Sequence, residues 1–96
     1  MTKDNTVTFG DAFKKFLKDE HLEQRFNERK VISMWKELMG DMIANRTLKL
    51  FIKDKILFVT LSSAPLKQEL TGARQKVIEV INNKVGSEVI KDVRFL

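Results

Sequence analysis

The spacing of apolar residues predicts a helix close to the beginning of the chain. Thr8 followed by Asp11 is typical of a helix N-cap with an acidic residue at the third helical position. The apolar side chains after this cap recur at helical spacing and form one face, which consists of Phe9, Ala12, Phe13, Phe16 and Leu17. We therefore expect a first amphipathic helix that ends near Lys18, preceded by a frayed, disordered segment over residues 1–7.

A charged stretch follows this helix, and a second helix is predicted beyond it. Leu22 and Phe26 are the clear apolar anchors of the charged stretch, and Asn27 is interpreted as the N-cap of the next helix. The buried stripe of that helix is predicted to consist of Val31, Met34, Trp35 and Leu38, with Met39 beside it. Gly40 is expected to end the helix, or to interrupt it before one further turn at residues 42–43.

From Arg46 the apolar spacing changes from helical to alternating, which predicts a β-hairpin over residues 46–62. A two-residue turn at Asp54 and Lys55 pairs Phe51 with Phe58. The same register gathers the apolar residues of both strands on one face, which we expect to be buried beneath the following helix: Leu48, Leu50, Ile52, Leu57, Val59 and Leu61.

The rest of the sequence predicts a long or broken helix and a last strand. Ser62 and Ser63 before Pro65 are typical of a helix start. Helical spacing then continues to an end near Gly86, with residues 71–72 as a point where the segment can divide, and residues 89–95 form a short strand. The predicted order is α-α-β-β-α(-α)-β, which indicates an α+β fold with a small sheet packed against helices in one domain over residues 8–96.

Composition limits the chemistry that the chain can carry. It has no cysteine and one histidine, His21, which argues against a disulfide scaffold, a thiol catalyst and a metal site. The four glycines are isolated, so the glycine motifs of P-loop and dinucleotide-binding proteins are absent. His21 has no candidate catalytic partner, and helix capping accounts for the serines at 62–63. We expect no enzymatic activity, no cofactor and no small-molecule substrate.

Two further observations concern location and partners. No apolar run reaches the length of a membrane span, and the first residues lack a signal peptide, so a cytoplasmic protein without a membrane partner is expected. The net charge of +5 is concentrated in residues 44–78, which carry seven basic groups against two acidic ones, whereas the flanking segments balance. A polyanionic partner is therefore expected to bind this third of the chain.

Aromatic and basic side chains meet on the second face of the predicted hairpin. Phe51 and Phe58 are expected opposite one another, so that their rings can stack on unpaired bases while neighbouring lysines contact phosphates. The alternative is that the first helix covers both rings and makes them part of the core. A stripe of residues 67, 71 and 74 on the long helix is a second candidate, against the alternative of an ordinary solvated surface. The candidate nucleic-acid-binding residues are Arg46, Lys49, Phe51, Lys53, Lys55, Phe58, Lys67 and Arg74.

Three sequence segments, in their order and spacing, resemble one protein family. They are MWKELMG (residues 34–40), ILFVTLSS (56–63) continuing to QEL (68–70), and INNKVG (81–86) leading to VIKDVRF (89–95). Over about residues 9–96 the chain is similar to the DciA family of bacterial replicative-helicase loaders. The resemblance implies a KH-like fold, binding of single-stranded DNA and association with the DnaB-type replicative helicase.

The predicted order of elements matches the type II KH arrangement, but the GxxG loop of true KH domains is absent, with residues 71–74 as its nearest equivalent. Two other functions remain open on the residues alone. One is an RNA-binding KH-like module, and the other is an interaction domain that meets an acidic protein and no nucleic acid. The localised charge favours nucleic acid over the protein-only reading, and the resemblance alone separates DNA from RNA.

Overall fold

The computed structural model describes residues 9–17 and 20–96, and the predicted disordered segment 1–7 and the Thr8 cap lie outside them. The described chain forms, in order, α1 (Phe9–Leu17), α2 (Glu20–Ser33), α3 (Trp35–Met39), α4 (Asp41–Asn45), β1 (Thr47–Lys53), β2 (Ile56–Leu61), α5 (Ala64–Gly72), α6 (Arg74–Val85) and β3 (Asp92–Phe95). The predicted α+β class, with a small sheet packed against helices, is confirmed. Four helices, and not the predicted two, precede the hairpin, and the broken helix and last strand follow it in the predicted order.

The second helix begins earlier than the sequence predicted. Asn27 lies inside α2 and does not cap it, and its side-chain amide donates to Ser87 Oγ at 3.1 Å. The stretch before Asn27 is helical because it is rich in glutamate, glutamine and arginine, which favour helices without needing an apolar stripe. The helix breaks at Met34, and Gly40, with a φ of 88°, separates α3 from α4 as expected.

The hairpin has the predicted turn and register. Phe51 pairs with Phe58, Leu50 with Val59 and Ile52 with Leu57 across antiparallel strands. Asp54 and Lys55 both adopt positive φ, 53° and 63°. Two consecutive left-handed residues are typical of the turn whose twist matches that of the flanking strands.

The burial predicted for Leu48 is wrong. The register shifts between Thr47 and Lys49, so that Leu48 lies in a β-bulge and is 70% exposed. Beyond the bulge, the alternation proceeds as expected. Leu50 and Ile52 are half-buried, and the β2 residues Leu57, Val59 and Leu61 are buried.

The second half of the chain covers one face of the sheet. Ser63 caps α5 by accepting from the Leu66 amide at 3.3 Å, and the helix breaks at Ala73, so the two helical segments are separate. The β3 strand pairs in parallel with β2, which gives the sheet order β1-β2-β3. Asn82 fixes the segment before β3, because its side chain accepts from the amides of Val89 and Ile90 and donates to the carbonyl of Ile90.

The core lies between the sheet and the helices. Its buried side chains come from α2, α3, α5, α6, the covered face of the sheet and the segment between α6 and β3: Val31, Trp35, Leu57, Val59, Leu61, Leu66, Leu70, Val77, Ile78, Ile81, Val89, Ile90, Val93 and Phe95. Trp35 is buried, as predicted. None of the helices in the described ranges is long and apolar enough to cross a bilayer.

Candidate nucleic-acid interface

The second face of the sheet carries no fully buried residue, and we call it the open face. Strand register defines its rows, since residues paired across strands point to the same side. The central row holds the two phenylalanines of the hairpin and Arg94 of β3. The complete open face consists of Lys49, Phe51, Lys53, Ile56, Phe58, Thr60, Asp92 and Arg94.

The rings of Phe51 and Phe58 stack on each other. Their centroids are 4.8 Å apart and their planes differ by 13°. This separation equals the usual spacing of neighbouring strands, so the rings stand upright on the sheet and turn their edges outward. Each ring therefore has one face occupied by the other ring, and Lys49 Nζ lies 5.3 Å from the centroid of Phe51.

Helix α1 does not bury Phe51. In the described part of α1, Phe13 packs edge-on against Phe26 of α2, with ring centroids 5.8 Å apart. The side chain of Phe51 remains 38% exposed, and that of Phe58, in the central strand, is half-buried. A ligand can reach the outer edge of this aromatic pair and the free face of Phe51.

Arg94 is a basic residue of the open face that sequence reasoning missed. Its neighbours Val93 and Phe95 are both buried, so the alternation of a β-strand places the side chain of Arg94 on the opposite face of the sheet. This could be recognised from the sequence only if the last strand were known to pair with β2. Its Nε lies 3.3 Å from Asp92 Oδ2, and Arg74 Nε lies 3.6 Å from Asp92 Oδ1. One carboxylate thus holds two arginines at the β3 side of the sheet.

Asp92 is the one described residue with a clearly displaced pKa. The Val93 amide, which donates to Asp92 Oδ1 at 2.8 Å, is the main cause that lowers this pKa, and burial opposes it. The hydrogen bond from Arg94 and the positive charges of Arg74 and Arg94 lower the pKa further. Asp92 is therefore ionised at neutral pH and offsets part of the positive charge on this side of the sheet.

The other candidate residues are dispersed. Arg46 precedes β1, where its carbonyl accepts from the Ser62 amide, and Lys55 lies in the hairpin turn. Lys67 is exposed on α5, which packs on the covered side of the sheet, and the break at Ala73 separates it from Arg74. The structure thus brings together Lys49, Phe51, Lys53 and Phe58, with Lys55 at one end, and leaves the predicted helix stripe discontinuous.

Comparison with known proteins identifies the family of this chain. The family model described as "Dna[CI] antecedent, DciA" matches residues 8–95. A curated relative from Corynebacterium glutamicum (strain R), named "UPF0232 protein", is 39% identical over 65 residues, which are 68% of this chain and 36% of the relative. The chain therefore spans about a third of the length of that relative. No solved structure matches the chain. Because the family model covers nearly all of the sequence, the chain belongs to the DciA family.

Proposed function

We propose that the protein is a non-enzymatic adaptor that binds single-stranded nucleic acid on its open face and associates with a DnaB-type replicative helicase. Membership of a helicase-loader family supports the association with the helicase. The observation that carries the nucleic-acid half is the exposed, upright pair Phe51–Phe58 with basic side chains on the same face. Single-strand binders combine these two features, because rings stack on bases while cations contact phosphates.

The geometry suggests how a strand would lie. A base stacked on the free face of Phe51 would displace the Lys49 ammonium, which could then move to an adjacent phosphate. Lys49 and Lys53 stand on the same side of β1, about 13 Å apart at the usual rise of a strand. They would contact phosphates before and after the stacked base, while Arg94 extends the positive surface across the sheet.

We also propose that the domain has a KH-like fold but does not bind nucleic acid through a GxxG loop, as true KH domains do. The order of helices and strands supports this assignment. The junction of α5 and α6, where KH domains carry their GxxG loop, reads Thr71-Gly72-Ala73-Arg74 and leaves helical geometry at Ala73. Because this loop has one glycine, the open face is the better candidate for contacts with the phosphate backbone.

Fluorescence anisotropy with labelled single-stranded DNA and RNA of matched sequence, titrated at several salt concentrations, tests the nucleic-acid half. Affinity should fall steeply with salt, and Lys49→Gln or Lys53→Gln should each flatten the log–log slope by about 0.7. Lys84→Gln, in the last turn of α6, is the matched control and should leave the slope unchanged. Absence of binding to either strand at low salt would contradict the proposal, and a clear preference for RNA would favour an RNA-binding module.

Association with the helicase needs its own measurement. Analytical size-exclusion chromatography of the chain mixed with purified replicative helicase from the same organism should give a joint peak. Separate elution at micromolar concentrations would contradict the proposed association with the helicase, but not the proposed binding of nucleic acid.

A further inference from the structure

The outer edge of β1 carries backbone groups that have no partner among residues 9–17 and 20–96. Leu96 donates to the carbonyl of Val59, and Leu61 donates to the carbonyl of Leu96, so the odd-numbered residues of β2 direct their polar backbone groups towards β3. The even-numbered residues of β2 consequently bond to β1. Leu50 and Ile52, which stand opposite Val59 and Leu57, therefore direct their N–H and C=O groups away from the sheet.

Helix α2 runs beside this edge and forms a groove with it. The groove has a volume of about 450 Å³ and lies between one side of α2 and the central residues of β1. Its lining consists of Arg25, Glu28, Arg29, Ile32, Ser33, Leu50, Phe51 and Ile52. The α2 residues fall at helical spacing on one face, so the groove follows both the helix and the strand.

The chemistry of the groove combines an apolar wall with a positive rim. Ile32 is 38% exposed, and the half-buried Leu50 and Ile52 line the opposite side. Arg25 and Arg29 form no salt bridge within residues 9–17 and 20–96. Glu28, the one acidic residue of the groove, already accepts a hydrogen bond from Gln24 at 2.8 Å.

We propose that this groove binds an extended acidic segment of a partner protein, which adds to β1 as a further strand. Leu50 and Ile52 present donors and acceptors at the two-residue repeat of a β-strand, about 6.6 Å. A peptide backbone offers both N–H donors and C=O acceptors to these groups, whereas the oxygens of a phosphate backbone only accept. Alternate side chains of the segment pack against Ile32, and its carboxylates meet the guanidinium groups of Arg25 and Arg29.

This inference rests on the proposed adaptor function, because an adaptor needs a protein-binding surface as well as a nucleic-acid surface. Lys49 and Lys53 project to the open face and do not line the groove, whereas Phe51 belongs to both the open face and the groove lining. The two proposed surfaces therefore adjoin at Phe51, and the outer backbone groups of Leu50 and Ile52 distinguish the peptide site from the nucleic-acid site.

The test begins with a library of random eight-residue peptides displayed on phage and selected against the whole chain. The selected sequences should alternate apolar residues and include aspartate or glutamate. A synthetic peptide of the selected sequence is then titrated into ¹⁵N-labelled protein. The amides of Leu50 and Ile52 should become protected from hydrogen exchange, whereas those of Phe51 and Lys53, already bonded to β2, should change little.

Charge-reversal variants test the rim of the groove. Arg25→Glu and Arg29→Glu should each weaken peptide binding about three- to tenfold, as expected for exposed ion pairs that are reversed. Lys30→Glu is the matched control, because it makes the same change of charge on α2 outside the groove lining, and it should have little effect. A peptide that carries N-methyl groups on the alternate amides that face β1 should lose binding. A peptide with N-methyl groups on the other set of amides, which face away from β1, should keep it.

Several outcomes would overturn the inference. Selection of no peptide, or unchanged exchange at Leu50 and Ile52, would remove the groove as a peptide site. If labelled single-stranded DNA protects these amides in place of the peptide, the groove belongs to nucleic acid. Anisotropy with the same DNA is measured in parallel, so that loss of peptide binding with DNA binding intact contradicts the groove alone and not the proposed function.

Discussion

The indole of Trp35 donates a hydrogen bond from Nε1 to Oγ1 of Thr47 at 3.0 Å. Thr47 Oγ1 in turn donates to the carbonyl of Ile43 at 2.8 Å. This short chain joins α3 to α4 and to the first residue of β1. It satisfies the polar atom of an otherwise apolar buried ring, and it fixes the helices against the strand immediately before the bulge at Leu48.

Trp35→Ala should destabilise the fold by about 3–5 kcal/mol, because it removes a large buried ring and leaves a cavity. Urea unfolding followed by circular dichroism measures this loss. Thr47→Val should cost about 1–3 kcal/mol, since the indole N–H then has no acceptor. A Trp35→Ala variant that retains its stability and loses oligonucleotide binding would contradict a structural role for the ring.

Phe51→Ala should weaken single-strand binding by about 1–3 kcal/mol without changing the salt dependence, because it removes a stacking surface and no charge. Anisotropy at three salt concentrations separates the two effects. Phe26→Ala is a suitable control, since Phe26 is also exposed and paired with an aromatic ring but belongs to α2 and not to the open face. If Phe51→Ala mainly lowers the unfolding midpoint and leaves affinity unchanged, the aromatic pair serves packing.

Asp92→Asn should raise the affinity for single strands, because it frees Arg74 and Arg94 from their shared carboxylate. Fluorescence anisotropy with labelled single-stranded DNA measures this change. Glu79→Gln, an exposed position on α6, is the matched control for the loss of one negative charge. An unchanged or lower affinity of Asp92→Asn would show that these arginines do not contact the strand.

The same carboxylate should make stability depend on pH. Because the folded-state pKa of Asp92 is lowered, its contribution is present above the unfolded-state pKa, about 3.9, and is lost as pH falls through the folded-state pKa. Urea unfolding of the wild type and Asp92→Asn at pH values from about 2 to 6 measures this. The difference in stability between them should shrink towards the acidic end, and a constant difference would contradict the assigned cause.

Lys55→Gly should stabilise the hairpin by about 0.5–1 kcal/mol, since a left-handed conformation is costly for a residue with a Cβ and glycine adopts it freely. Lys53→Gly is the control, because this residue lies in β1 before the turn and should be destabilised by the same change. Thermal unfolding of both variants gives the comparison. Destabilisation by Lys55→Gly would indicate that the lysine side chain contributes more than its backbone strain.

The hairpin could be predicted in register because the apolar alternation in both strands and the two-residue turn agree. The exposure of Leu48 could not be predicted, because the bulge depends on how the strand enters the sheet and does not change the alternation of apolar residues in the sequence. Asn27 was misread as a cap because α2 is charged on most sides and lacks an apolar period before Val31. Arg94 was missed because its place on the open face depends on a parallel partner far away in sequence.

The parallel pairing of β3 with β2 has a consequence for synthesis of the chain on the ribosome. Ile56 pairs with Asp92, so the hairpin emerges well before the strand that completes the sheet. Until then, Leu57 and Val59 belong to a two-stranded ribbon that lacks Val93 and Phe95 as neighbours. Such a ribbon is marginal in water, and pairings between distant segments form slowly. The nascent domain therefore keeps apolar surface exposed, and is prone to aggregation, until residues 92–95 have left the exit tunnel. Chaperones that bind exposed apolar strands would act in that interval.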